Sequence, residues 1–400
     1  MEHVDVVVVG GGIVGLATAY AVLQRHPQAA VLVLDKEDRV GVHQSGHNSG
    51  VIHSGIYYPP GSHKAGLVAR SRADLIDFCR RHDIALEFPG KVIVASEPDE
   101  LPRLDDLHRR GLEHGLAVRR LSAAELAEHE PHVTGVGAVY VPETGITDFP
   151  AVCRALATEI TDRGGEIRLG RHVSSVRETG DAVIVEAAAD VVSAGRLVAC
   201  AGLHSDVLAP AAQHAADAVR IVAFRGEYYD LRPAAAQLVR GLVYPVPDPR
   251  FPFLGVHLTR GVHGGVHAGP NAVIALSREG YRWRDVSAAH LREIVTDPGV
   301  RKLARKYWRV GAAEMYRSAS KRAFARALQR LVPEISSRDL IPSAAGVRAQ
   351  ALTADGRLVD DFAFRETART IHVINAPSPA ATASLGLGSF IADRLLATKS

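Results

Sequence analysis

The chain is predicted to be an α/β protein of two domains, and three features carry that expectation. The apolar run Val4–Val9 passes into Gly10, Gly12 and Gly15 and then into an Ala-rich helical stretch. Apolar strands alternate with helical segments again after residue 145. Two long segments, 86–144 and 221–337, break that alternation. At 400 residues and 47% hydrophobic, the chain has the apolar side chains to fill a core in each domain.

Val4–Val9 lacks a polar alternation, the pattern of a parallel strand buried on both faces. Helix is predicted from about Val14 to Gln24 and a second strand over Ala30–Asp35, which together make one β-turn-α-β unit. Around Gly145–Val152 a turn leads into a helix that ends near Gly164 and Gly165, and the strand Glu166–Leu169 follows. Residues 172–188 read as strand, Gly-Asp turn and strand, and "GRLVACAG" is an apolar run ending in glycine. Residues 86–144 are polar and rich in Pro and Glu, and 221–337 carries aromatic strand-like pieces before a long helical stretch. The predicted domains are therefore discontinuous: one from 1–85, 145–220 and 338–400, the other from 86–144 and 221–337.

Bulk properties exclude several classes. Charged residues make up 23% and the net charge is +3, too balanced for a surface that coats nucleic acid, and no nucleic-acid partner is expected. Cys79, Cys153 and Cys200 are scattered and form no Cys-x-x-Cys pair, so neither a disulfide framework nor a metal site is expected. That usage fits a reducing, cytoplasmic compartment. No secretory leader is expected, because Val6–Val9 runs directly into glycine with no basic stretch before it. Nor does any stretch reach the roughly 20 apolar residues that cross a bilayer.

Gly10, Gly12 and Gly15 make a G-x-G-x-x-G placed between strand and helix. The first permits the tight turn, the second lets the backbone approach a pyrophosphate, and the third lets helix and strand pack closely. Asp35, twenty residues after Gly15 at the end of the second strand, is placed to accept from a ribose hydroxyl, with Lys36 beside it. Strand, helix and acid together predict a Rossmann-like dinucleotide site. FAD is favoured over NAD by the loop after Asp35, "KEDRVGVHQSGHNSGVIHSGIYYPPG", whose small and hydroxyl-bearing residues suit a long extended cofactor.

The glycine motif, the "HNSGVIHSG" loop, "ACAG" at 199–202 and the C-terminal "NAPSPAATASLGLG" resemble the D-amino-acid oxidase superfamily of flavoproteins. The resemblance implies that Ser45, Asn48 and Ser49 approach the FAD pyrophosphate and that Val173 faces the adenine through its backbone. It also implies that Gly202 lets the chain pass close to the cofactor, and that Thr382, Ala383, Ser384 and Leu385 border the flavin pyrimidine. "ACAG" departs from the usual Ala-Thr-Gly of that family.

"HNSGVIHSGIYYPPGSHKA", "FRGEYY", "GVHLTR", "VHAGPNAV" and "GVRAQ" are similar to segments of L-2-hydroxyglutarate oxidases and dehydrogenases, in order along essentially the whole chain. The implied reaction moves a hydride from C2 of a small dicarboxylate to flavin N5 while a base takes the hydroxyl proton, with quinone or oxygen as final acceptor. His53 is the first candidate base and His257 its competitor; a structural or flavin-tuning role and a covalent flavin link are the other readings of His53. His47 reads as a loop hydrogen-bonder. Arginine supplies the planar fork that a carboxylate accepts. Arg348 is the candidate for the carboxylate beside the reacting carbon, and Arg225 and Arg260 are candidates for the distal one. Tyr57 and Tyr244 are candidate hydroxyl donors to the substrate. The alternatives are an amine oxidase of the glycine or sarcosine type, a glycerol-phosphate oxidase, and a non-catalytic flavin-binding assembly protein.

From Val300 to Pro333 there are ten Lys or Arg and one acid, Glu314, with Tyr307, Trp308, Tyr316 and Phe324 interleaved. Leu303, Tyr307 and Val310, then Phe324, Leu328 and Leu331, recur at helical spacing. Two readings stay open for this segment: peripheral contact with an anionic membrane at the inner face of the cell membrane, and an apolar stripe packed on its own domain.

Overall fold

The computed structural model describes residues 1–59, 61, 63–209, 219–248 and 253–397; Pro60 and Ser62 of the "PPGSHKA" segment lie outside them. Four sheets carry the described strands. In the first, Glu2–Val9 runs parallel to Asp190–Ala199 on one side and to Val31–Leu34 on the other, and Glu166–Arg168 extends that side. Asp190–Ala199 is long enough to take two partners along one edge, Val183–Ala187 antiparallel near its start and Thr370–Asn375 parallel near its end. Val7 pairs with Leu197 and with Leu32, so the central strand is covered by apolar neighbours on both edges.

Helix Ile13–Arg25 lies on one face of this sheet, and helices Phe149–Asp162 and Ser384–Ala397 lie beside it. Leu16, Val22, Phe78, Leu156, Leu387 and Ile391 interdigitate there in the largest core cluster. The opposite face is closed by Val173, Val183 and Val185 from the antiparallel arm. The alternation of β and α in the sequence thus produces a three-layer arrangement with helices and an arm on the two faces of a mostly parallel sheet.

The second large sheet runs in the order 340–342, 229–231, 266–269, 257–260, 242–245, 91–95, 137–141 and 119–122. Its inner strand Lys91–Ala95 is buried along its whole length. Val92 and Val94 face a cluster with Phe324 and Leu328, whereas Ile93 and Ala95 face one with Leu104, Leu107 and Ile56, the period of two expected of a strand. The segment 86–144 is therefore regular where composition suggested irregularity. Helix Leu101–Glu113 buries only Leu104, Leu107 and Gly111, so its charged outer face dominates the composition. Likewise Gly145–Thr147, expected as a turn, pairs as a strand with Val51–Ile52.

Two further elements bear on the site. Strand Gly346–Thr353 pairs antiparallel with Val219–Gly226, setting Arg348 opposite Phe224. The basic segment is broken at Ser320, whose Oγ caps the following helix by accepting from the Ala323 amide, giving helices Pro298–Ala319 and Lys321–Leu328. Its apolar stripe packs inward: Leu303 joins Val222, Phe224 and Leu352, and Phe324, Leu328 and Leu331 enter the core of the second sheet. Trp308, Met315 and Tyr316 stay exposed. Among the described residues no helix is long and apolar enough to cross a membrane.

Candidate active site

One cavity of about 1060 Å³ runs from the glycine turn to the inner face of the second sheet. That volume lies just above the roughly 300–1,000 Å³ of ordinary small-molecule sites. Gly10, Gly12, Gly15, Asp35, Lys36 and Val173 line one end. Ser45, Asn48, Ser49, Gly202 and Thr382 line its length. His53, Tyr57, Tyr244, His257 and Arg348 line it as well, so residues spread over some three hundred positions of sequence meet in one space.

The glycine turn is a cradle that side chains would fill. Gly10 has φ +110°, and a Cβ there would sit 2.3 Å from the Cys200 carbonyl oxygen; a Cβ on Gly15 would sit 2.0 Å from the Gly10 oxygen. Asp35 closes the turn by accepting from the Gly11 amide at 2.5 Å and from the Glu37 amide at 2.8 Å. Ser45 Oγ accepts from the Ile13 amide at 2.9 Å, tying the loop to the positive end of the first helix. Asn48 is spent on its own loop: its amide nitrogen donates to the Ser45 carbonyl and its oxygen accepts from the Gly50 amide. Lys36 bonds Glu37 and lies 2.7 Å from Glu279. Its ammonium supplies the positive charge where Glu37, His43 and Glu279 converge within 4.8 Å. A backbone cradle beside a helix N-terminus, with a carboxylate at the end of the second strand, fits the pyrophosphate and ribose of a dinucleotide.

Thr382 joins the cofactor wall to the reaction end, because its Oγ accepts from the His53 amide at 3.1 Å and donates to the Val51 carbonyl. The three residues after it do not reach the cavity. Ser384 opens helix Ser384–Ala397, Ala383 is fully buried behind it, and Leu385 packs on the helical core; Ala376–Thr382 line the wall instead. His47 donates from Nδ1 to the Ala345 carbonyl at 3.0 Å.

His257 stacks on Tyr244 with ring centres 4.0 Å apart, and its Nδ1 donates to the Gly255 carbonyl at 2.8 Å. A carbonyl only accepts, so Nδ1 holds the proton and Nε2 is left as an acceptor. Burial pushes this imidazole down to about 3, and the positive charges of Arg348 and Lys91 add to the fall. Tyr244 is fully buried and Tyr57 half-buried with its hydroxyl enclosed, and burial raises both phenols. The Tyr57 hydroxyl has no hydrogen-bond partner among the described residues.

Two predicted arginines lie elsewhere. Arg225 follows Phe224, the register partner of Arg348, so its side chain leaves the opposite face of that strand pair. It ends 4.0 Å over the Trp283 ring and 2.9 Å from Glu227. Arg260 stands three residues from the cavity-lining His257 and therefore points the other way, exposed and 3.8 Å from Glu87. Tyr228, which sequence reasoning did not single out, lines the cavity; burial raises its phenol, and Arg348 and Ser49 pull it back down. The aromatic pair in "FRGEYY" was its only signal.

The chain matches the family model described as FAD dependent oxidoreductase over residues 5–394. It is 47% identical to an L-2-hydroxyglutarate dehydrogenase of Indibacter alkaliphilus, over 97% of this chain and 98% of that one. It is 42% identical to the proteins of the same name from Escherichia coli, over 99% and 94%, and to the human mitochondrial one, over 98% and 88%. Among solved structures it is similar to an FAD-bound L-alpha-glycerophosphate oxidase of Mycoplasma pneumoniae, with a TM-score of 0.81 at 22% identity over 100% and 96% of the two chains. A glycine oxidase of Geobacillus kaustophilus gives 0.73 at 19% over 100% and 96%. The matching spans the glycine cradle, the His53 loop and the C-terminal wall alike, and the chain belongs to the FAD-dependent oxidoreductase family.

Proposed function

We propose that this enzyme oxidises L-2-hydroxyglutarate to 2-oxoglutarate, the observation that carries it being the shared cavity of Arg348, His53 and the glycine cradle. FAD supplies the acceptor for the hydride that leaves C2. The residues do the rest. Arg348 grips the C1 carboxylate with its fork, and Tyr228, beside it, fixes the guanidinium. His53 takes the hydroxyl proton, because a base near neutral pH does this best and the pKa of His257 lies too low. His257 accepts a hydrogen bond at Nε2 and orients the substrate.

The identity to L-2-hydroxyglutarate dehydrogenases over nearly the full chain supports this substrate. The test is anaerobic flavin bleaching with a panel of L- and D-2-hydroxy acids and amino acids. Reduction by L-2-hydroxyglutarate is expected, and an enzyme bleached by an amino acid instead would be an amine oxidase. Quinone or oxygen receives the electrons in this reading. Trp308 and Tyr316, exposed among Arg301, Lys302, Arg305, Lys306 and Arg309, support a peripheral contact with anionic lipid on the cytoplasmic face. Co-sedimentation with anionic vesicles that falls with added salt is the expected result.

A further inference from the structure

Lys91 is 1% exposed on an inner strand of the second sheet, on the same side as Ile93 and Ala95. Its ammonium lies 4.4 Å from the centre of the Tyr57 ring and 5.1 Å from that of Tyr244. Both rings line the cavity, and the charge is felt at His257. Among the described residues no carboxylate offsets its charge, and burial alone acts on the amine. A buried cation without an anion is expensive, and aromatic faces offset only part of that. Burial accordingly pulls the amine down to about 7. Beside it the Tyr57 hydroxyl is buried and unpartnered. Two unmet groups, one cationic and one donating, thus stand together behind the cavity wall that the Tyr57 and Tyr244 rings form, within reach of the field of an anion bound there.

We infer that Lys91, with the Tyr57 hydroxyl, is the counter-charge for the distal carboxylate of the substrate, acting from behind the tyrosine rings as a specificity-determining residue. The inference rests on the dicarboxylate reading above. The geometry leaves that carboxylate without either predicted arginine, since Arg225 and Arg260 lie outside the cavity. The other cations on this wall, Arg103 and Arg110, are only half-buried; Arg110 already donates to the Tyr57 carbonyl, and Arg103, whose Nε has no hydrogen-bond partner among the described residues, keeps Glu100 as a counter-charge at 3.8 Å. Each has a negative or accepting neighbour already, which Lys91 lacks, so they gain less from an incoming anion than Lys91 does.

The test compares L-2-hydroxyglutarate with L-2-hydroxypentanoate, which carries a methyl group where the distal carboxylate stands, and adds calorimetry with glutarate, which cannot react. Lys91→Met and Lys91→Gln are expected to lower kcat/KM for L-2-hydroxyglutarate by roughly 30-fold or more, mostly through KM, and to weaken glutarate by a similar factor. L-2-hydroxypentanoate turnover and FAD content should stay within about threefold of the parent enzyme. Should neither Lys91 variant fold, Tyr57→Phe decides the same question, with glutarate binding expected to weaken about 5- to 10-fold. Equal losses with both hydroxy acids, or unchanged glutarate binding, would overturn the assignment. A parent enzyme that L-2-hydroxyglutarate fails to reduce would instead sink the functional reading, while glutarate calorimetry would still judge Lys91.

Discussion

The His53 amide donates to the Thr382 hydroxyl across 329 residues of sequence, so the loop that carries the proposed base is held by the segment that walls the cofactor cavity. Thr382 is fully buried, and its hydroxyl also bonds the Val51 carbonyl. Thr382→Val keeps the shape and removes both bonds, taking this acceptor from the part-buried His53 amide. It should destabilise the protein by about 1–3 kcal/mol in chemical denaturation and slow flavin reduction, whereas Thr382→Ser should retain most of both.

Gly15→Ala places a methyl group 2.0 Å from the Gly10 oxygen, a distance no rotation relieves. The strand-turn-helix cradle must open to accept it. The expected outcome is protein that folds with little FAD, read as the ratio of flavin to protein absorbance after gel filtration.

The two histidines should separate kinetically. His53→Ala is expected to lower the anaerobic reduction rate by roughly 10²–10⁴-fold with a small change in substrate binding. His257→Ala removes an orienting acceptor and the ring stacked on Tyr244, so its loss should be shared between KM and kcat. Equal profiles for the two variants would refute the division of roles.

Among the arginines, Arg348→Met should cost about 2–5 kcal/mol in kcat/KM, because a cation facing the substrate carboxylate is lost. Arg260→Ala, exposed and outside the cavity, should change kcat/KM by less than about 0.5 kcal/mol.

Acid should loosen the contact between residues 277–287 and the cofactor end. Burial pushes the Glu279 carboxyl up, but hydrogen bonds from His204 and Lys36 outweigh it and hold the group at about 2. A depressed folded value means stabilisation that is complete above the ordinary carboxylate value of 4.5 and is lost as pH falls toward 2. Glu279→Gln should therefore lower stability at pH 7 by about 1 kcal/mol, discounted for partial exposure, and flatten the pH dependence of the melting temperature across that window.

Much of the cofactor end was legible in the sequence, because the physics there is local. Gly10, Gly12, Gly15 and Asp35 lie within one β-turn-α-β unit, and their spacing alone brings them to one end of a strand pair. His53 and Arg348 could be proposed because their residue types suit the chemistry. Whether they met was a matter for the chain's distant pairings: Thr382 with His53, and Gly346–Thr353 with Val219–Gly226. The face on which a side chain leaves a strand depends on register, and register removed Arg225 and Arg260 from the cavity while putting Lys91 behind it. Lys91 is one of seven lysines and lies in the 86–144 segment, whose polar composition gave no sign of a buried strand. Only the packing of Tyr57 and Tyr244 around it, drawn from two other segments, gave it a desolvated position beside the cavity wall.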